Sequence, residues 1–188
     1  MQFRERWNNV LSKIPRSASE CNNLKRPELL CVIADTYAAS PQDWDLRPKA
    51  KEFFQLALER APEIPSILQR YGHYLILHEQ AFDEAFKLYE KGFECCASPF
   101  LRDDMCIMDY LCLLYLQESL PSKKMEGALE KALLYTENYN THIGICMASA
   151  TYEMEYGCTD KAIAQLYNAS EYEAKYGMLH VKVSPLLA

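Results

Sequence analysis

The side chains best equipped for chemistry in this chain of 188 residues are its 8 cysteines and 4 histidines. His142 and Cys146 stand four residues apart, so one helical face would carry both and they could share a metal ion. Two ligands do not make a tetrahedral zinc site, and no other pair lies near enough to complete it, so a core or interface pair is expected. Cys95 and Cys96 could act as a redox handle. As neighbours on a helix they are expected to split between core and surface. The cysteines fall at 21, 31, 95, 96, 106, 112, 146 and 158, mostly in apolar stretches and without C-x2-C spacing, which reads as reduced, small core residues. His73 and His78 miss the helical i, i+4 spacing. The chain carries no nucleophile elbow, P-loop or dinucleotide fingerprint, so no enzymatic activity, cofactor or metal is expected.

Charge narrows the partner. A net charge of −6 and a pI near 5.3 disfavour binding to a phosphate backbone, which needs clustered Lys and Arg. Charges in Arg4-Glu5-Arg6 stand where a signal peptide would need an apolar run. The longest apolar tract, Tyr110 to Leu116, is too short to span a bilayer. A cytoplasmic protein is expected, with the nucleus as the other option and no membrane contact. Apolar residues make up 49% and only 6 positions are Gly, which predicts one folded domain over 1–188.

Helical periodicity supplies the elements. Phe3, Trp7, Val10, Leu11 and Ile14 predict an amphipathic helix stopped by Pro15, and residues 16–26 read as a loop with one helical turn. Pro27 suits the first position of the next helix, which carries Leu30, Ile33, Ala34 and Tyr37 and ends at Ser40-Pro41. An inserted loop follows, up to Pro48. Ala50, Phe54, Ala57 and Pro62 then obey A-x3-F-x2-A-x4-P, and Ala85, Tyr89 and Gly92 each lie 35 residues beyond the first three of these. Likewise Ala162, Leu166 and Ala169 lie 34 residues beyond Ala128, Ala132 and Tyr135. The step from Ala85 to Ala128 is 43 residues, which requires a longer helix or loop. Tyr71-Gly72 supplies a small residue for close helix approach in the second unit of this pattern. Met108, Leu111, Cys112 and Tyr115 mark the first helix of the third, with Cys112 as the small residue and Tyr115 as a knob between helices, and Ala150 stands in register in the fourth. A last helix is predicted from about Thr159 to Tyr176, with Gly177 as its C-terminal cap. The segment 177–188 is apolar. It is expected to fold back, to dock in another subunit or to lead into a longer array.

These residues resemble the tetratricopeptide-repeat superfamily over roughly 27–176, with repeats at 27–62, 65–97, 101–136 and 141–176. The resemblance implies an all-α fold: a right-handed superhelix of antiparallel helix hairpins, with about nine helices counting the N-terminal one. It further implies a concave groove, lined by the first helix of each repeat, that binds a peptide or another protein. In the expected register the groove positions include Glu28, Cys31 and Asp35; Gln69 and His73; Cys106, Asp109 and Leu113; and Met147, Thr151 and Met154. Asp35, Gln69, His73, Asp109, Met147 and Thr151 are the candidate ligand-binding residues: acids for a basic side chain, amide and imidazole for hydrogen bonds, Met for adaptable apolar contact. The Lys, Asn and Arg that would hold a terminal carboxylate in a chaperone clamp are missing. A narrower likeness, Leu68-Gln69-Arg70-Tyr71-Gly72-His73-Tyr74 followed by Phe82-Asp83-Glu84-Ala85, is similar to interferon-induced repeat proteins, some of which bind RNA ends in a basic tunnel. The resemblance as a whole implies a non-enzymatic interaction scaffold. RNA binding, or self-assembly through the Trp7 helix and the apolar tail, are the alternatives.

Overall fold

Prolines and short polar caps decide where the helices of this chain begin. In the computed structural model, which describes residues 2–40, 46–118 and 120–176, the fold is all-helical, with nine α-helices and no strand among the described residues. They are α1 (Gln2–Leu11), α2 (Glu28–Ala38), α3 (Arg47–Arg60), α4 (Pro65–Tyr74) and α5 (Phe82–Cys95), then α6 (Asp104–Gln117), α7 (Lys123–Tyr135), α8 (Tyr139–Tyr156) and α9 (Thr159–Tyr176). Most of the inserted loop before Pro48 and all of 177–188 lie outside the described residues. The helices group into two compact units that meet in sequence between Cys95 and Cys96.

In the first unit, α2 pairs with α3 and α4 with α5, and α4 also touches α2. Pro48 and Pro65 start α3 and α4, where a missing backbone N–H costs nothing. Leu30, Ala34, Phe53, Phe54, Leu68 and Ala85 are fully buried. Aromatic rings interleave within and between hairpins: Phe54 of α3 lies 5.5 Å from Tyr71 and 5.2 Å from Tyr74 of α4, and Tyr37 stacks on Phe53 inside the α2–α3 hairpin at 5.6 Å. Gly72 meets Tyr89 so closely that a Cβ there would sit 2.7 Å from the ring. The small residue expected from the sequence is thus seated against the second helix of its own hairpin.

Two features of this unit go beyond the repeat pattern. First, α4 runs on into a π turn, Leu75–Glu79, closed by Gln80 at φ 55°. Glu79 accepts hydrogen bonds from Lys51 Nζ at 2.5 Å and from the Tyr74 hydroxyl at 3.2 Å, which anchors the widened turn to α3 and α4. Second, the polar stretch after α1 forms the expected single turn, a 3-10 helix over Ala18–Cys21. It is tied down by main-chain contacts. Arg60 donates to the Cys21 and Leu24 carbonyls at 3.2 and 3.1 Å, and Tyr37 donates to the Pro15 carbonyl at 2.9 Å.

The second unit uses side-chain caps in place of prolines. Asp103, Ser122 and Asn138 accept hydrogen bonds from the first-turn amides of α6, α7 and α8. Tyr152 of α8 reaches back to the start of α7, where its hydroxyl accepts from the Ser122 amide at 2.8 Å and donates to the Ser122 carbonyl at 3.1 Å. Helices α8 and α9 form the tightest hairpin here, with Ala150, Ala162 and Ala169 buried. His142 and Cys146 belong to that hairpin. Cys146 is buried, and His142 stacks on Tyr172 of α9 with ring centroids 3.9 Å apart. The long step from Ala85 to Ala128 is accommodated in part by the loop at 96–103, between α5 and α6.

One register differs from expectation. In α6 the buried residues are Cys106, Ile107, Tyr110, Leu111 and Leu114, so the inward stripe lies one residue before the expected Met108, Leu111, Cys112 and Tyr115. Leu111 takes the place assigned to Cys112, and Tyr115 is 46% exposed rather than a buried knob. The cause lies in composition. Helix α6, DMCIMDYLCLLYLQ, is apolar on every side, so no polar face marks which stripe turns inward. Cys31 and Cys106, expected at the groove, are fully buried. Burial pushes the Cys31 thiol up to about 12, against the opposing pull of the Arg70 guanidinium. Cys106 hydrogen-bonds with Cys96; that contact and burial push its thiol up, so it stays protonated.

Candidate functional site

The one-residue shift of α6 turns Met105, Met108, Cys112 and Leu116 outward along one stripe. On α8 the exposed residues include the expected Met147, Thr151 and Met154 together with Ala148 and Glu155. Between α6 and α8, with α7 as its floor, lies a cleft of about 520 Å³. Its walls include Met108, Cys112 and Leu116 from α6 and Ala148, Thr151 and Glu155 from α8. Met125 and Leu129 form the base. The volume falls within the usual span for ligand pockets, and the lining is almost wholly apolar.

Polar groups gather at the edges. Glu155 is the one charged residue among the described lining residues. Beside it, Tyr156 lies within hydrogen-bonding reach of both Tyr115 and Glu155; desolvation and these neighbours push its hydroxyl up. On the α6 side the Cys112 thiol is raised by desolvation and by the nearby Asp109 carboxylate, so it is held protonated at neutral pH. Neither α6 nor α8 contains a Lys or an Arg. Nothing on these walls pairs a nucleophile with a base. Among the described residues no group of three or more His, Cys, Asp or Glu is arranged to hold a metal ion.

The six candidate binding residues fall three to each unit. In the first, Asp35 forms an ion pair with Arg70, Gln69 is half-buried and His73 is exposed. Asp35 also borders a recess of about 470 Å³ between α1 and α2, lined by Arg6, Trp7, Val10 and Val32. In the second unit, Thr151 is on the cleft wall, Met147 is exposed one helical turn before it, and Asp109 stands next to Cys112, half-buried. The cleft therefore gathers residues that the sequence register did not place at the groove: Met108 and Tyr115, expected to face inward, and Leu116, Ala148 and Glu155. A signal for it was available. Of the 7 methionines, Met105, Met108, Met125, Met147 and Met154 lie within α6, α7 and α8.

No protein-family model matches the chain, and a search of curated proteins finds no significant match. Among the described residues, no helix is long and apolar enough to cross a membrane.

Proposed function

We propose that this protein is a non-enzymatic interaction scaffold of the tetratricopeptide-like type, which captures a peptide or a partner helix in the groove of its second unit. One observation carries the reading. Two helices present largely apolar stripes to solvent across a cleft of about 520 Å³, an arrangement that would be costly in water unless something covers it at work. Leu116 is 79% exposed and Met154 69%, whereas single exposed apolar side chains are ordinary on any surface. Supporting the repeat reading are the hairpin pairing of α2 with α3, α4 with α5 and α8 with α9, and the contact of Gly72 with Tyr89. The RNA-binding alternative lacks a basic lining in this cleft, where the charged residue is Glu155.

A photoreactive amino acid at Thr151, compared in cells with the same residue at exposed Ser170 of α9, tests the reading. The expected result is a discrete protein adduct from Thr151, absent at Ser170 and abolished by Ala148→Arg in the cleft wall. Indistinguishable adducts from the two positions would overturn it.

A further inference from the structure

A second recess, of about 240 Å³, lies among α7, α8 and α9. Its polar lining comes from all three helices. Helix α7 contributes Glu126 and Glu130, which stand four residues apart and so share one face. Helix α8 contributes Ser149 and Glu153, and α9 contributes Lys161 and Gln165. Leu129 and Ala164 add apolar surface between these groups.

Two of the polar groups are already matched. Glu153 accepts a hydrogen bond from the Cys158 amide at 3.0 Å and lies 3.7 Å from the Lys161 ammonium. The rest are not. Among the described residues neither Glu126 nor Glu130 makes a side-chain hydrogen bond or an ion pair. Ser149 is only 7% exposed, and its hydroxyl likewise has no partner among them. Gln165 holds a side-chain oxygen that is shut off from solvent and makes no hydrogen bond. Buried polar groups are normally paired, so two unpaired ones beside one opening call for something that enters and supplies the partner.

The chemistry of the lining selects the entrant. Carboxylates and an amide oxygen accept hydrogen bonds, and a hydroxyl can accept as well, so the entrant must donate. Three carboxylates against one ammonium call for positive charge. A bare metal ion does not answer, because among the described residues no three acidic or other ligating side chains are grouped to coordinate one. Size narrows the choice further. One water needs only about 10–15 Å³ of such space, whereas pockets for drug-sized ligands begin at about 300 Å³. A small organic cation fits between those limits.

We infer that the recess among α7, α8 and α9 binds a small aliphatic diamine. One ammonium group bridges Glu126, half-buried, and Glu130, exposed, at the rim. The other donates inward to Ser149 and Gln165, and the methylene chain between them lies on Leu129 and Ala164. A monoamine leaves one end of the site unpaired, and a diol brings no charge to either end.

The test titrates the full-length 15N-labelled protein at low salt with 1,4-diaminobutane and, separately, with 1-aminobutane and 1,4-butanediol. Saturable one-to-one binding of the diamine is expected, with shifts at the amides of Glu126, Ser149 and Gln165. Its affinity should exceed that of either control at least tenfold and fall as salt is raised. Glu126→Gln combined with Glu130→Gln should weaken binding at least tenfold, and Ser149→Ala should weaken it too. Equal affinity for monoamine and diamine overturns the inference, as does unchanged binding in the double variant. Shifts that never saturate and spread over acidic residues of every helix would reveal diffuse counter-ion binding and overturn it as well. So would no shift at all, which leaves water as the occupant. Ala148→Arg, which abolishes the Thr151 adduct, should leave diamine binding intact, so this inference and the scaffold reading fail separately.

Discussion

The two units of this protein solve helix packing with different materials. The first is knit by aromatic rings, with Phe54 between Tyr71 and Tyr74, Tyr37 on Phe53 and Tyr89 over Gly72, and by ion pairs between its helices such as Asp35 with Arg70 and Lys51 with Glu79. It is close to electrically neutral, with 13 basic against 14 acidic residues over 1–95. The second unit carries −5 of the net charge of −6 and nearly all the methionine, and it leaves a gap between α6 and α8 unfilled. Rigid, specific packing gives a framework with one arrangement. Pliable packing with a vacancy gives a surface able to accept something else. On the proposed reading, the first unit is the stable framework and the second carries the adaptable contact surface.

Substitutions can break that contrast. The largest effect is expected from Phe54→Ala, which empties a fully buried site between two tyrosines and should cost about 3–5 kcal/mol in urea unfolding. Next is Gly72→Ala. The added Cβ would press on the buried Tyr89 ring, and overpacking of this kind costs about 1–3 kcal/mol; an unchanged midpoint would refute the close approach. A smaller effect is expected from pH. Burial lowers the pKa of His142 below its ordinary 6.5, so the unfolded chain takes up the proton first. Stability of the second unit should therefore hold above pH 6.5 and decline as pH falls below it. His142→Phe, which keeps a ring against Tyr172, should flatten that decline in unfolding curves measured between pH 7 and 5. The smallest change belongs to Leu116→Ser at the cleft mouth. Removing this exposed side chain should move stability by less than about 0.5 kcal/mol while lowering the yield of the Thr151 adduct. A large loss of stability there would mean that the second unit is as tightly knit as the first.

Much of the framework was legible in the residues. Pro27, Pro48 and Pro65 mark helix starts, Tyr71-Gly72 marks a close crossing, and the final helix spans Thr159–Tyr176, as its pattern predicts. Those signals are local, because they rest on backbone chemistry or on a missing side chain. The cleft was less legible. A helix as uniformly apolar as α6 permits two neighbouring registers, and choosing between Leu111 and Cys112 as the inward residue depends on what α7 and α8 present to it. The π turn at Leu75–Glu79 was also missed, since its support from Lys51 lies on a different helix. A cavity is still harder to foresee. It is the space that three helices fail to fill, and no single residue encodes it.

The exposure of Cys112 has a practical consequence. Five of the 8 thiols, at Cys21, Cys31, Cys96, Cys106 and Cys146, are buried, whereas Cys112 on the cleft wall and Cys158 at the turn between α8 and α9 are exposed. The native protein thus carries an intrinsic occupancy gauge. Alkylation at Cys158 supplies an internal clock, and any occupant of the cleft slows labelling at Cys112 relative to that clock. Mass spectrometry of the unmodified chain can therefore score candidate partners without a tag or a substitution.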